Sequence, residues 1–163
     1  MDRMNPLDAL FLLAEDGVSH MHIGSCAVFD GAPPSVETCR ALVASKLHLV
    51  PRFRQRAVRV PLDLGLPVWV DDPALDLEFH VRTCSLPPGS GRADLHAFVG
   101  DLMSTELDRA RPLWEMWIVD GLDPVETGGR WAVVSKVHHC MVDGVSGTDL
   151  MASVLDVHRS TAI

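Results

Sequence analysis

The stretch WAVVSKVHHCMVDGVSG at positions 131–147 decides the fold prediction. Its first seven residues are mostly apolar and rich in valine, which is typical of a buried β-strand. Two adjacent histidines, His138 and His139, follow this run, and Asp143 comes four residues after the second of them. Gly144 permits a tight turn of the backbone. We therefore expect a strand with two histidines at its end and a loop that can bring a carboxylate back toward them.

A histidine with a carboxylate nearby suits general base catalysis, because the pKa of free imidazole, about 6.5, lies close to neutral pH. A well-placed base of this kind contributes about 10²- to 10⁴-fold in rate. Adjacent strand residues point to opposite faces, so only one of the two imidazoles can face a given site. Ser135, Ser146 and Cys140 lie nearby, but none stands in a G-x-S-x-G elbow. The pattern therefore favours a base that acts on a hydroxyl supplied by the substrate.

Two other interpretations of the motif stay open. The histidines could be ordinary core or surface residues, since Asp-Gly is a common turn dipeptide. His138, His139 and Cys140 could also hold a metal ion. Adjacent residues rarely converge on one tetrahedral ion, and no second ligand cluster supports the site. We therefore predict no metal ligands.

The composition limits the function classes. The chain has 163 residues, 47% of them apolar, and a formal net charge of −8. We expect one domain over 1–163, ordered from about 4 to about 157. The negative charge disfavours a general nucleic-acid binder. There is no apolar run of the roughly 18 to 20 residues that a membrane span needs, and no secretory signal pattern. The four scattered cysteines fit a reducing cytosol, so we expect a cytoplasmic protein.

The periodicity predicts the order helix, strand, helix, strand, strand, helix, strand, strand, helix. Asn5 and Ser35 are expected to cap the first two helices, and the last helix is expected at 145–157. Trp114 and Trp117 should point to opposite faces of one strand. One further strand is predicted from strict alternation of apolar with polar residues: Leu75, Leu77, Phe79 and Val81 with Asp76, Glu78, His80 and Arg82. This mix indicates an α/β fold, an α+β two-layer sandwich with a mixed, largely antiparallel sheet.

A short arginine-rich segment has two interpretations. Arg52, Arg54 and Arg56 alternate with other residues and should share one strand face. They could protect a solvated edge strand. They could also contact the phosphates of a CoA-type substrate, because arginine suits bidentate phosphate recognition.

Several segments together resemble a known family. HHCMVDG at 138–144 resembles the active-site motif of the CoA-dependent acyltransferase superfamily. MNPLDALFL at 4–12, PRFRQR at 51–56 and RPLWE at 111–115 resemble segments of the bacterial wax ester synthase/diacylglycerol acyltransferase family within it. The resemblance runs from about Met4 to about Leu155. It implies one half, the N-terminal lobe, of a chloramphenicol-acetyltransferase-like fold of two lobes, with the C-terminal lobe absent from this chain.

The resemblance also implies residue roles. His139 would be the general base for transfer of a fatty acyl group from acyl-CoA to diacylglycerol or a long-chain alcohol, with His138 in support. Asp143 would orient the loop or the imidazole, and Gly144 would permit the turn. Acyl-CoA is a substrate here, and no cofactor is implied. The residues expected at the substrate are Pro112, Leu113, Trp114 and Arg54.

Two alternatives to a complete enzyme stay open. The chain could be a catalytically incomplete fragment or an interaction module that needs a separate C-terminal lobe or a second copy of itself. It could also form amides, as condensation domains do, although the segments at 4–12 and 111–115 disfavour this. The expected partners are otherwise acyl-CoA, the acceptor lipid, and the inner face of a membrane or a lipid droplet, with no nucleic acid.

Overall fold

The computed structural model describes residues 2–122 and 129–142. Within them the chain forms two sheets and four helices. The strands are β1 (Asp2–Arg3), β2 (His22–Asp30), β3 (Gln55–Val58), β4 (Val68–Asp71), β5 (Val81–Ser90), β6 (Trp114–Leu122) and β7 (Arg130–His138). The helices are α1 (Pro6–Ala14), α2 (Val36–Lys46), α3 (Leu77–His80) and α4 (Arg92–Met103). Short 3₁₀ turns lie at Leu47–Leu49, Pro51–Arg54, Pro61–Asp63 and His139–Met141. The helix expected at 145–157 lies outside the described residues.

The larger sheet positions the histidines. Its strand order is β2-β7-β6-β5, and β7 runs antiparallel to both of its neighbours. β5 and β6 are parallel, so the chain must cross over between them, and α4 makes that crossover. A smaller antiparallel sheet has the order β1-β4-β3. The expected fold class, a mixed and largely antiparallel sheet packed with helices, is confirmed.

Both faces of the inner strands β6 and β7 are buried, which explains why β7 is mostly apolar. Val133 and Val137 face the core shared with α1 and α2, whereas Ala132 and Val134 face the core under α4. The expected opposition of the two tryptophans is confirmed, because Trp114 belongs to the first core and Trp117 packs against the second. His138, an even-numbered residue of β7, therefore falls on the α4 side of the sheet.

The expected helix starts are confirmed. The Asn5 side chain accepts the backbone N–H of Asp8, 2.8 Å away, and Pro6 is the first residue of α1. Ser35 caps α2 by accepting the N–H of Thr38 at 3.2 Å. These side chains satisfy donors that a helix leaves free at its start. Among the described residues no helix has the length and apolar character that crossing a membrane requires.

The strand predicted from the alternation at 75–82 is wrong. The Asp76 side chain accepts the backbone N–H groups of Glu78 and Phe79, which starts the single helical turn α3 at Leu77–His80. β5 begins only at Val81 and continues to Ser90, with a break in register between Ser85 and Ser90. A local capping bond thus overrides the period-two pattern.

The arginine segment is only partly a strand. Pro51 begins a 3₁₀ turn over Pro51–Arg54, and β3 starts at Gln55. Arg52 and Arg54 therefore precede the strand and do not share one face of it with Arg56. Proline fixes its own φ at a value that suits the first residue of a helical turn, which explains the change.

Candidate active site

The end of β7 carries the two histidines, and backbone bonds hold it on both sides. The N–H of His138 donates to the carbonyl of Leu113 at 2.9 Å. The N–H of His139 donates to the carbonyl of Met21 at 2.7 Å. The chain then leaves the sheet in the turn His139–Met141. The predicted strand with the two histidines at its end is confirmed, and the turn that follows it separates their side chains.

His138 is a fully buried, neutral residue. Its Nδ1 accepts the backbone N–H of Cys140 at 3.1 Å, which places the ring proton on Nε2. Nε2 lies 3.5 Å from Oε2 of Glu15, without the alignment of a hydrogen bond. Burial lowers the pKa of His138 to about 4, against the opposing attraction of the Glu15 carboxylate. His138 therefore lies out of reach of solvent, in a position from which it can support the site without touching a substrate.

Glu15 was missed by the sequence analysis. Its side chain is only 2% exposed; Oε2 accepts a hydrogen bond from Arg109 Nη2 at 2.8 Å, and Oε1 accepts the N–H of Met21 at 3.2 Å. Burial alone raises the pKa of this carboxyl, but the bonds from Arg109 and Met21 and the nearby charges lower it overall. Glu15 thus links α1, the start of β2, the segment at 104–113 and His138. Glu15 and His138 are 123 positions apart in the sequence, so no local pattern could reveal the contact.

His139 faces a different environment. Its imidazole is half-buried and stacks on the ring of Phe11 in α1, with the ring centroids 3.9 Å apart and the planes 22° from parallel. Its Nδ1 is buried and has no hydrogen-bond partner among the described residues. Of the two histidines, His139 is therefore the one whose ring lies at a surface that a substrate could reach.

The other predicted site residues are placed as follows. Asp143 and Gly144 lie outside the described residues. Pro112, Leu113 and Trp114 are buried in the core, so in this structure they support the site through the Leu113 carbonyl. Arg54 is exposed on the Pro51–Arg54 turn. The substrate-binding roles of these residues stay predictions.

Cys140 is not poised to be a nucleophile or a metal ligand. It is 1% exposed, and burial raises the pKa of its thiol to about 12, so the reactive thiolate does not form near neutral pH. Within residues 2–122 and 129–142, no group of three or more His, Cys, Asp or Glu side chains could hold a metal ion.

Lys136 is a second buried ionic group that the sequence analysis missed. It stands two residues before His138 on the same face of β7 and is fully buried. Its Nζ donates to the carbonyls of Leu102 and Thr105, at the end of α4. Burial lowers the pKa of Lys136, and the attraction of nearby carboxylates opposes this. A cation at a helix C-terminus is favourable, so Lys136 fixes α4 against the strand that carries the histidines.

We expect Glu15→Gln to lower the free energy of unfolding by about 1 to 3 kcal/mol, because a charged hydrogen bond to Arg109 is lost in a buried place. The lower part of this range allows for the 39% exposure of the Arg109 side chain. Urea denaturation near pH 7 measures the loss in free energy of unfolding. Glu78→Gln is the matched control, since Glu78 faces Arg40 across 3.9 Å on the surface and is 82% exposed. Equal losses in the two variants would contradict the role assigned to Glu15.

Acidification should destabilise the protein through His138. The unfolded chain takes up a proton at a pKa of about 6.5, whereas folded His138 does so only at about 4. Stability is therefore full above pH 6.5 and is lost as the pH falls toward 4, by roughly 2 to 4 kcal/mol. His22 and His80 act in the same direction, because burial also lowers their pKa values.

The test of this pH dependence is urea denaturation at several pH values between about 7 and 4.5. His138→Gln should show a shallower fall than the wild type. The control is His48→Gln, because His48 is exposed in the Leu47–Leu49 turn. In this variant, stability should fall with pH as steeply as in the wild type. An unchanged slope in His138→Gln would mean that His138 is not the buried neutral group described here.

This fold and site define a class, the histidine-bearing lobe of an acyltransferase-type fold. The wax ester synthase/diacylglycerol acyltransferase from Marinobacter aquaeolei VT8 superposes with a TM-score of 0.74 at 37% identity, over 91% of this chain and 36% of that one. A starter condensation domain of rhizomide synthetase in complex with C8-CoA superposes with a TM-score of 0.73, over 94% of this chain and 34% of that one. At 14% identity the second likeness concerns the fold alone.

The chain belongs to the wax ester synthase/diacylglycerol acyltransferase catalytic domain family, whose sequence model matches residues 4–162. A probable diacylglycerol O-acyltransferase of Mycobacterium tuberculosis strain H37Rv, tgs1, is 42% identical over 162 residues, which are 98% of this chain and 34% of that protein. A putative diacylglycerol O-acyltransferase of Mycobacterium bovis matches equally well. The family resemblance is confirmed, and the chain spans about a third of the length of these relatives.

Proposed function

We propose that this chain carries the catalytic base of an O-acyltransferase that moves a fatty acyl group from acyl-CoA to the hydroxyl of diacylglycerol or a long-chain alcohol. The observation that carries the proposal is the division of roles at the end of β7. His138 is buried and neutral, whereas His139 is half-buried and has its backbone fixed by Met21. Membership of the family supports the same reaction class.

In the proposed reaction His139 accepts the proton of the acceptor hydroxyl as the oxygen attacks the thioester carbonyl. The new carbon–oxygen bond forms the ester, and the carbon–sulfur bond breaks. The departing CoA thiolate then takes the proton from the imidazolium and leaves as the free thiol. This direct transfer requires neither a metal ion nor a covalent enzyme intermediate, and acyl-CoA enters as substrate. Asp143 and Gly144 would hold the loop that follows His139.

An apolar surface beside His139 supports a lipid substrate. Leu7, Leu10 and Leu13 of α1 are exposed by 61%, 58% and 55%, and Phe11 of the same helix touches the His139 ring. Exposed apolar clusters of this kind mark places where an apolar partner binds. The names of the relatives, diacylglycerol O-acyltransferase and wax ester synthase, indicate acceptors of the same chemistry. We place the proposed reaction in the cytoplasm, at the inner face of the membrane or at a lipid droplet. In the same proposal Arg54 contacts a phosphate of CoA.

A second candidate function is favoured by the length comparison. The chain spans about a third of its relatives, and β2 lies at one edge of its sheet with Ile23 and Val28 46% and 51% exposed. In this version the chain is half of a site, and a C-terminal lobe or a second copy of the chain completes it. The acyl transfer chemistry is unchanged, but the isolated chain would not turn over.

One assay separates the two candidates. Transfer from palmitoyl-CoA to a diacylglycerol and to hexadecanol is measured with the purified chain alone. It is then measured with the remaining C-terminal part of the Marinobacter relative supplied as a separate polypeptide. Transfer by the chain alone, at a rate per chain that does not depend on chain concentration, supports a sufficient lobe. A rate per chain that rises with chain concentration, or transfer only with the added part, supports the half-site. Absence of transfer in both arms contradicts the proposed function.

A further inference from the structure

The His139 ring has an aromatic neighbour in the described part of the chain. The Phe11 and His139 rings stack 3.9 Å apart at 22°, and no described side chain donates to or accepts from the imidazole. The backbone N–H of His139 is fixed by Met21, but a backbone bond leaves the torsions of the side chain free. Phe11 therefore lies against the face of the imidazole, where it can act on the orientation of the ring.

Phe11 is itself rigidly placed. It belongs to α1, which is capped by Asn5 and begins at Pro6. The opposite face of the helix is anchored in the core through Ala9 and Leu12, which are 1% and 4% exposed. A phenyl ring on such a helix can hold a neighbouring imidazole in one orientation with little loss of entropy of its own.

We propose that Phe11 is a positioning residue for His139, an inference that rests on the proposed function. The stack holds the imidazole plane in the orientation in which the ring can meet the acceptor hydroxyl, and small misplacements of a base cost much of its effect. The π face of Phe11 also stabilises the imidazolium that forms when His139 takes the proton, by cation–π attraction. Phe11 thus acts on the base while the apolar leucines of α1 remain available to the substrate.

The charged and titratable groups of this corner come from several elements. They are Asp8 of α1, Glu15 just after it, His22 of β2, Arg109 of the segment at 104–113, and His138 of β7. A change at Phe11 leaves all of them in place. A difference between Phe11→Leu and the wild type is therefore not caused by the removal or addition of a charged group.

The test compares Phe11→Leu, which keeps apolar volume without a π face, with Phe11→Tyr, which keeps the face. We expect Phe11→Leu to lower kcat roughly 3- to 30-fold with KM for acyl-CoA unchanged. Phe11→Tyr should keep the wild-type kcat. In a His139→Ala background Phe11→Leu should have no further effect. A rate for Phe11→Leu equal to the wild type, or an equal loss in both backgrounds, overturns the proposal.

Phe29→Leu is the matched control. Phe29 stacks on Trp131 with centroids 4.6 Å apart and planes at 23°, so the substitution also removes a stacked ring. It lies seven residues along β2 from His22, about 24 Å at roughly 3.4 Å per residue. Its kcat should equal that of the wild type. A loss as large as that of Phe11→Leu would make the effect a general one of stability and would overturn the proposal.

A spectroscopic measurement keeps this proposal separable from the proposed function. In NMR spectra of the whole chain, the ring protons of His139 should be shifted upfield by the Phe11 ring current. The shift should vanish in Phe11→Leu and persist in Phe11→Tyr. If no upfield shift exists, the stack is not formed and the positioning role fails, whatever the activity. If the shift exists but no acyl transfer occurs in either arm of the assay, the proposed function fails instead, and with it the role of Phe11 in catalysis.

Discussion

Replacing His139 with alanine is expected to lower acyl transfer by about 10²- to 10⁴-fold, the contribution of a positioned general base. The loss should appear in the turnover rate, because the base acts on the transition state. Alanine keeps the backbone N–H that donates to Met21, so the end of β7 should stay in place. The measurement is the steady-state rate of palmitoyl transfer in whichever arm of the assay is active.

Thermal unfolding of the same variant separates loss of the base from loss of the fold, and we expect the transition to change little. The activity control is His48→Ala, because His48 is exposed in the Leu47–Leu49 turn. This variant should keep the wild-type rate. If His139→Ala keeps more than about a tenth of the wild-type rate, His139 is not the base.

Trp114→Ala should have the largest effect on stability, about 3 to 5 kcal/mol lost from the free energy of unfolding. Trp114 is 3% exposed and packs its ring against His80, with the centroids 4.4 Å apart. Its Nε1 donates to the carbonyl of Phe53 at 2.9 Å. Alanine leaves both a large cavity and an unpaired buried carbonyl. Urea denaturation measures the loss.

Trp131→Ala is the control for Trp114→Ala. Trp131 is half-buried near the start of β7 and stacks on Phe29, so its removal opens a smaller cavity. Its loss of stability should be clearly smaller. Comparable losses in the two variants would show that the segment at 112–114 does not anchor the lobe. Since the neighbouring Leu113 carbonyl accepts the N–H of His138, the large loss at Trp114 should also disturb the site.

The sequence predicted those parts of the fold that local chemistry determines. Asn5 and Ser35 start helices because their side chains satisfy free backbone donors, and the structure shows both caps. The apolar run before His138 predicts a buried strand, and β7 is that strand. The position of the two histidines at the end of a strand could therefore be predicted without a structure.

Where a local bond competes with periodicity, the prediction fails. The alternation at 75–82 placed His80 on a polar strand face, yet His80 is fully buried. Its Nδ1 lies 2.8 Å from the carbonyl of Trp114, because the helical turn capped by Asp76 directs the side chain inward. The period-two pattern does not show whether the Asp76 cap will form and start a helical turn in place of a strand.

Contacts between distant segments are the part that the sequence could not supply. Glu15, Arg109 and His138 form one cluster, in which Glu15 and His138 are buried, although the three come from separate parts of the chain. Each residue taken singly has an ordinary interpretation: a charge after a helix, an arginine in a loop, a histidine in a strand. Only the packing of α1 against the turn His139–Met141 brings these residues, and Phe11 with them, to the same corner.

The proposed reaction is direct, His139-dependent transfer of an acyl group to a lipid hydroxyl. A rapid-quench experiment with radiolabelled palmitoyl-CoA and diacylglycerol, in the active arm of the assay, tests it most directly. We expect label to move from CoA to triacylglycerol with none bound to the protein, and His139→Ala to abolish the movement. Label trapped on the protein before it reaches the acceptor, or transfer that persists in His139→Ala, would contradict it.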